Sequence, residues 1–225
     1  MEILDRIPPE LDFEGLLGRV RISPESADAT AVRRLFDQVQ PCIQPKAIYA
    51  LCAIGAREED TIEIGGVTFA SRVLTVNLQH VHRAFPYICT CGAELDQVEA
   101  SGDPLRDYWL DAIRLSALGS ATSHLRQHLE CRYAPGKLSS MAPGSLQDWP
   151  ISQQASLFSL FGDVESKIGV RLTDSFLMRP LKSVSGIYFS DETEFHSCQL
   201  CPREGCPGRS APYDPGLWEE RYARQ

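Results

Sequence analysis

The sequence predicts an α+β fold with a mixed or antiparallel sheet and flanking helices. Strand-like and helix-like stretches mix without the regular strand–helix–strand alternation of a parallel sheet. The stretch "TIEIGGVTFA" (61–70) has a hairpin pattern, with Gly65-Gly66 supplying positive φ in the turn. One long apolar period, from Asp103-Pro104 to about Cys131, marks a dominant helix.

Composition sets the bounds. The chain has 225 residues, 43% hydrophobic and 23% charged, enough to bury a core without disulfide staples. A net charge of −8 lacks the cationic footprint that phosphate backbones demand, so no nucleic-acid partner is expected. No apolar run nears the roughly 20 residues of a membrane helix, and the start "MEILDRIPPELDFEG" has no basic region followed by an apolar run. A cytoplasmic location with no membrane partner follows as the expectation. In a reducing compartment, eight cysteines point to metal or redox chemistry more than to disulfides.

The elements follow in order. Ser23-Pro24-Glu25 reads as a helix start, and Val32, Leu35, Phe36 and Val39 keep helical spacing until Pro41 and Pro45. Residues 46–54 read as a buried strand and 85–92 as another. Residues 71–82 suit a helix by spacing and a strand by β-branched content. In the long helix, Leu105, Tyr108, Trp109, Ala112, Ile113, Leu115, Ala117 and Leu118 form a broad apolar face. Residues 134–150, with two Ala-Pro-Gly tripeptides, break all regularity and form a candidate sub-boundary or functional loop. Residues 151–169 read as helix interrupted near Gly162-Asp163 and stopped by Gly169. Residues 170–178 and 183–190 read as strands. The expectation is a single domain over 1–206 with a polar, loosely ordered tail at 207–225.

Gly144 lies in a Pro-Gly turn, where the missing Cβ lets backbone groups approach a small ligand. An ordinary connecting loop is the plainer reading. Ser183, Ser185 and Gly186 leave room beside a strand, for a flat ligand or for tight packing. Arg179 and Lys182 are candidates for contact with an acidic partner, or are solvated charges.

The segment "HSCQLCPREGC" (196–206) places Cys198, Cys201 and Cys206 as C-x2-C-x4-C, a spacing that wraps a metal centre. Pro202, Gly205 and Pro207 shape a tight loop there. The fourth ligand could be His196, Cys131 or one of Cys89 and Cys91, which strand period sends to one face. Zinc and a [4Fe–4S] cluster both suit such a set.

Residues 168–190, "IGVRLTDSFLMRPLKSVSGIYFS", carry Gly169, Leu172, Thr173, Ser175, Phe176, Met178, Pro180, Ser183, Val184, Ser185, Gly186, Tyr188, Phe189 and Ser190 in one nearly ungapped pattern. That pattern resembles the activation domain of cobalamin (vitamin B12)-dependent methionine synthase. "APGSLQDWP" (142–150) looks like the same family's Pro-Gly loop. The departures are Ser140 and Ser145, where the family has Arg and Tyr, and Phe195-His196 in place of a Tyr-Tyr pair. The resemblance implies a C-shaped α+β unit that binds S-adenosylmethionine through Ala142, Pro143, Gly144 and Ser145. It implies closure over a corrinoid protein whose cobalt has been oxidised to the inactive Co(II) state, with Arg179, Lys182, Ser183, Ser185 and Gly186 near the corrin or adenosyl group. A reductase would supply the electron, and this context favours the iron–sulfur cluster over zinc.

A free-standing chain of this kind looks like an accessory or reactivation protein for cobalamin-dependent methionine synthase or a related corrinoid methyltransferase. The alternatives are a non-catalytic corrinoid-protein-binding module with structural zinc, or an iron–sulfur electron carrier.

Overall fold

The computed structural model describes residues 1–133, 136–190, 195–206 and 208–223. Ala134, Pro135 and Pro207 of the stretches singled out above, with the last two residues of the tail, lie outside the described residues.

Strand β1 (Glu2–Leu4) opens the chain, followed by helix α1 (Phe13–Val20), which Asp12 caps through the amides of Glu14 and Gly15. Helix α2 (Ala27–Val39) starts one turn later than the sequence suggests. Ser26 accepts from the Ala29 amide and is the cap, while the Ser23 carbonyl accepts from Ser26 Oγ. The expected single strand at 46–54 is two, β2 (Lys46–Tyr49) and β3 (Cys52–Arg57). The hairpin forms as expected, from β4 (Thr61–Ile64) and β5 (Val67–Ala70). The ambiguous stretch is settled as helix α3 (Arg72–Asn77), whose Ser71 cap outweighs the β-branched content.

Strand β6 (Arg83–Thr90) and the short helix α4 (Ala93–Asp96) lead into α5 (Pro104–Tyr133). Strand β7 (Leu138–Met141) lies inside the stretch that reads as irregular. Helices α6 (Gln154–Ser159) and α7 (Val164–Ile168) follow, the second ending at left-handed Gly169. A small pair, β8 (Arg171–Leu172) and β9 (Met178–Arg179), precedes β10 (Ser183–Ser190).

The main sheet has eight strands, and every strand pairing in it is antiparallel. Strand β6 is its axis. One edge pairs with β10 along seven residues, from Ser183↔Thr90 to Phe189↔Ala84. The other edge pairs first with β2, up to Tyr49↔Tyr87, and then with β3, from Cys52↔Ala84. The change of partner falls at Pro86, which has no N–H for a ladder; its carbonyl still accepts from the Ala50 amide at 3.0 Å. Strand β7 extends the β10 edge.

Each face of the sheet has its own core. Ile48, Ala84, Ile88, Ile187 and Phe189 join Leu74, Leu157, Val164 and Trp149 on one side. Ala47, Tyr49, Phe85, Tyr87, Cys89 and Tyr188 meet Ala121, Leu125 and Leu129 of α5 on the other. The first half of α5 packs with α1 and α2. On the α5 side the Tyr49 hydroxyl meets Glu2 Oε2 and His128 Nε2, both at 2.9 Å, which ties the N-terminal strand to the helix.

The polar tail, expected to be loosely ordered, holds one aromatic anchor. Tyr222 is fully buried, and its hydroxyl donates to Asn77 Oδ1 at 2.8 Å. Arg72 donates to the carbonyls of Tyr222 at 2.6 Å and Ala223 at 3.2 Å. A single buried ring removes enough apolar surface to hold a short segment that is otherwise polar. No helix among the described residues is long and apolar enough to cross a membrane.

Gly186 is the tightest point of the central ladder. A Cβ there would lie 2.6 Å from the Met141 carbonyl oxygen and 3.0 Å from the Tyr87 hydroxyl. Gly186→Ala is therefore expected to destabilise the fold by about 2 kcal/mol through overpacking, measured by urea denaturation.

Candidate functional site

The end of β7 and the start of β10 meet at a cavity of about 220 Å³. Ala142 and Pro143 line one side and Ser183, Val184 and Ser185 another. Ile151 and Gln154 close it from the α6 side, and Phe176, Leu177, Met178 and Leu181 from the β8–β9 side.

The loop that carries Ala142 and Pro143 is held from within. The Gly144 amide donates to the Trp149 carbonyl at 2.7 Å, and the Ser145 amide and hydroxyl both donate to the Ala142 carbonyl, at 3.1 and 2.7 Å. Trp149 is fully buried and points its indole N–H at Gln153 Oε1, 3.3 Å away. Asp148 then fixes the loop to α3. Its carboxylate accepts from Ser71 Oγ at 2.5 Å and from the amides of Arg72 and Val73 at 3.2 and 3.0 Å. Those amides open a helix and lack intrahelical partners, so one side chain satisfies the helix start and positions the loop.

On the other side, Phe176 stands at φ 61°, a strained setting for an aromatic residue. The turn holding it is closed by Thr173, whose Oγ1 accepts from the Leu177 amide at 3.1 Å. Ser183 is satisfied, donating toward the Pro180 carbonyl at 2.8 Å and Thr90 Oγ1 at 3.0 Å. Ser185 is not. It is 2% exposed, and its hydroxyl finds no hydrogen-bond partner among the described residues. Gln154, also 2% exposed, is the other polar side chain sunk into this wall.

The structure thus brings together Ala142, Pro143, Ser183 and Ser185. It separates the others named from the sequence. Gly144 has φ 82° and leaves space that Ile151 fills, since a Cβ would sit 2.8 Å from Ile151 Cδ1. Ser145 is exposed and bonded to its own loop. Gly186 serves the ladder. Lys182 is paired with Asp111 of α5 at 3.0 Å. Arg179 faces a different cavity with Arg171, Asp96 and Pro180. Ser140 bonds the Tyr87 hydroxyl at 3.1 Å. Gln154 and Ile151 carry no sequence signal, because α6 reaches the cavity only through the fold.

Cys89 and Cys91 lie apart from the cysteine loop. Among the described residues, no group of three or more His, Cys, Asp or Glu is arranged to hold a metal ion. Cys89 is buried on the α5 face, against Leu125 and Leu129, whereas Leu200 of the cysteine loop packs on the opposite core. Cys91 is buried beyond the end of β6, with α1, α2 and α5. Burial pushes the Cys89 thiol far up and the Cys91 thiol up to about 12, so both stay neutral. Cys131 is exposed.

The loop around Cys198 is organised by an arginine. The Arg209 guanidinium donates to the carbonyls of Cys198 at 3.0 Å, Cys201 at 3.1 Å and Ala211 at 3.3 Å, and to that of Arg203. The Cys198 sulfur accepts from the Ser210 hydroxyl and amide, each at 3.5 Å, which holds its thiol below the usual range. His196 Nδ1 meets the same Ser210 hydroxyl at 3.4 Å. The guanidinium thus engages the backbone of the loop and none of its three sulfurs.

Asp148→Ala is expected to cost about 2 kcal/mol and to expose the loop at 142–149 to limited proteolysis while far-UV circular dichroism stays unchanged.

Residues 131–205 match the family described as vitamin B12 dependent methionine synthase, activation domain. A crystal structure titled as the MetH reactivation domain bound to AdoHcy aligns with a TM-score of 0.60 at 18% sequence identity, over 87% of this chain and 79% of that one. No curated protein matches the sequence. The segment 131–205 bears the sequence signature of the methionine synthase activation domain, and the chain as a whole has the fold of a MetH reactivation domain.

Proposed function

We propose that this protein supports reactivation of cobalamin-dependent methionine synthase or a related corrinoid methyltransferase, acting on a corrinoid-binding partner. One observation carries the reading: the two stretches that bear the family's sequence pattern, 142–143 and 183–185, meet at one cavity. The structural neighbour's own title names AdoHcy, the demethylated form of S-adenosylmethionine. A methyl donor of that class is therefore the ligand we assign to the cavity.

When bound, S-adenosylmethionine would supply the methyl group, and a partner reductase the electron that Co(II) needs. The chain's own part is to bind and to orient. The Ser185 hydroxyl, desolvated and unpaired, is a ready hydrogen-bond donor for a ligand that enters the cavity. Ile151, Leu177 and Leu181 are 40%, 52% and 57% exposed, and they form an apolar rim that suits a partner closing over the opening.

A second reading keeps the partner and drops the methyl transfer. Among the described residues no charged side chain lines the cavity, and both Ser140 and Ser145 are spent on internal hydrogen bonds. A carboxylate on the ligand would find no guanidinium fork there, which favours a corrinoid-protein-binding module.

Calorimetric titration with S-adenosylmethionine separates the two readings: saturable binding supports the first, and no heat supports the second. Ser185→Ala sharpens the test. Removing an unpaired buried hydroxyl is expected to raise unfolding stability by about 1 kcal/mol, while weakening S-adenosylmethionine binding roughly fivefold. Stability unchanged with affinity unchanged would place Ser185 outside the ligand contact.

A further inference from the structure

The cysteine loop is not used by the proposed function. Cys198 lies within the 3-10 turn Ser197–Leu200 and Cys201 caps its end, where the Cys201 amide donates to the Cys198 carbonyl at 3.2 Å. A hydrogen bond across four residues holds their Cα atoms within about 7 Å. Disulfides span roughly 4.4–6.8 Å between Cα atoms, so this pair lies within bonding reach. The Cys198 sulfur is held by two donors of Ser210, and the backbone around it is held by Arg209. Both cysteines are partly exposed, unlike Cys89 and Cys91. Leu200 stands between them and lines a cavity of about 390 Å³ with Leu146, Asp148 and Trp218. The turn therefore abuts the loop that carries Ala142 and Pro143.

We propose that Cys198 and Cys201 are a redox-responsive dithiol, oxidised to a disulfide by a hydroperoxide. The Cys198 sulfur attacks the distal oxygen of the hydroperoxide. The O–O bond breaks, an alcohol (water, for hydrogen peroxide) leaves, and Cys198 becomes a sulfenic acid. The Cys201 sulfur then attacks that sulfur, the S–O bond breaks, and the hydroxyl leaves as water with the Cys201 proton. Two thiols and one hydroperoxide give one disulfide, one alcohol and one water. Ser210 is a positioning residue, since it aims and polarises the attacking sulfur.

The test uses the full chain, reduced, freed of reductant and treated with one equivalent of hydrogen peroxide. Remaining thiols are alkylated and mapped by peptide mass spectrometry. The expected result is a Cys198–Cys201 link that a thiol reductant reverses, with Cys131 still free. In Cys201→Ser, Cys198 is expected to stop at a sulfenic acid captured by a cyclic dione. Ser210→Ala is expected to slow oxidation of Cys198 about fivefold and leave Cys131 labelling unchanged. The idea fails if Cys131 oxidises first, if the link joins Cys206 instead of Cys201, or if protein purified without oxygen carries stoichiometric zinc that shields all three thiols. The map of the unmutated chain decides the matter alone, so a misfolded variant cannot obscure it.

Discussion

A strand buried on seven of its eight residues has no water for its backbone, so both edges of β6 must be paired. That requirement organises the molecule. On one edge β10 supplies an unbroken ladder. On the other edge no one strand suffices, because Pro86 offers no N–H, and the chain meets the demand with two strands in succession. The result is a sheet whose two faces both bury large side chains, and each face then needs its own cover. The long helix covers the first face. Helices α3, α6 and α7 and the tail anchor Tyr222 cover the second.

The candidate site inherits this constraint. Strand β10 begins at the cavity and ends in the core, so its first residues stand where packing gives way to open space. Gly186 and Ser185 are neighbours with opposite settings. The first is pressed between Met141 and Tyr87, while the second keeps a hydroxyl with no partner among the described residues. A buried polar group left unsatisfied is costly, and its position at the wall of a cavity gives it a use. The opposite wall is held just as firmly, because Asp148 and Trp149 lock the loop to a helix start and to the core. Rigid walls and a strained Phe176 make a site that is shaped before anything enters it.

In the cysteine loop, spacing fixes proximity and the fold fixes the neighbours. C-x2-C-x4-C brings three thiols near in sequence, and spacing of that kind does wrap metals. Spacing alone does not name the loop's other polar contacts. Here Arg209, three residues past the last cysteine, takes the inward carbonyls, and Ser210 takes the Cys198 sulfur. Cys89 and Cys91 do lie on or beside one strand, as expected. A residue past the strand's end no longer obeys its alternation, so they enter different cores.

Local chemistry was legible because it acts over a few residues. The Gly65-Gly66 hairpin, the Asp103-Pro104 helix start, the Gly169 stop and the α+β class all follow from backbone preference and apolar period. Ala142, Pro143, Ser183 and Ser185 were singled out from a Pro-Gly turn, from small residues and from the family resemblance, and the fold brings the four to one cavity. What stayed hidden was set by partners distant in sequence. Strand β7 looked irregular until β10 paired with it, and β1, to which the sequence assigned no element, is held by its pairing with β2. Gln154 and Ile151 entered the site because α6 packs there, and Lys182 left it because Asp111 was near. The sequence by itself determined the α+β class, the long helix, the Gly65-Gly66 hairpin and the Gly169 stop, since dihedral preference and burial period are written locally. Only the tertiary structure decided which polar groups are satisfied and which are left facing a cavity, because hydrogen bonds are assigned by contact in space.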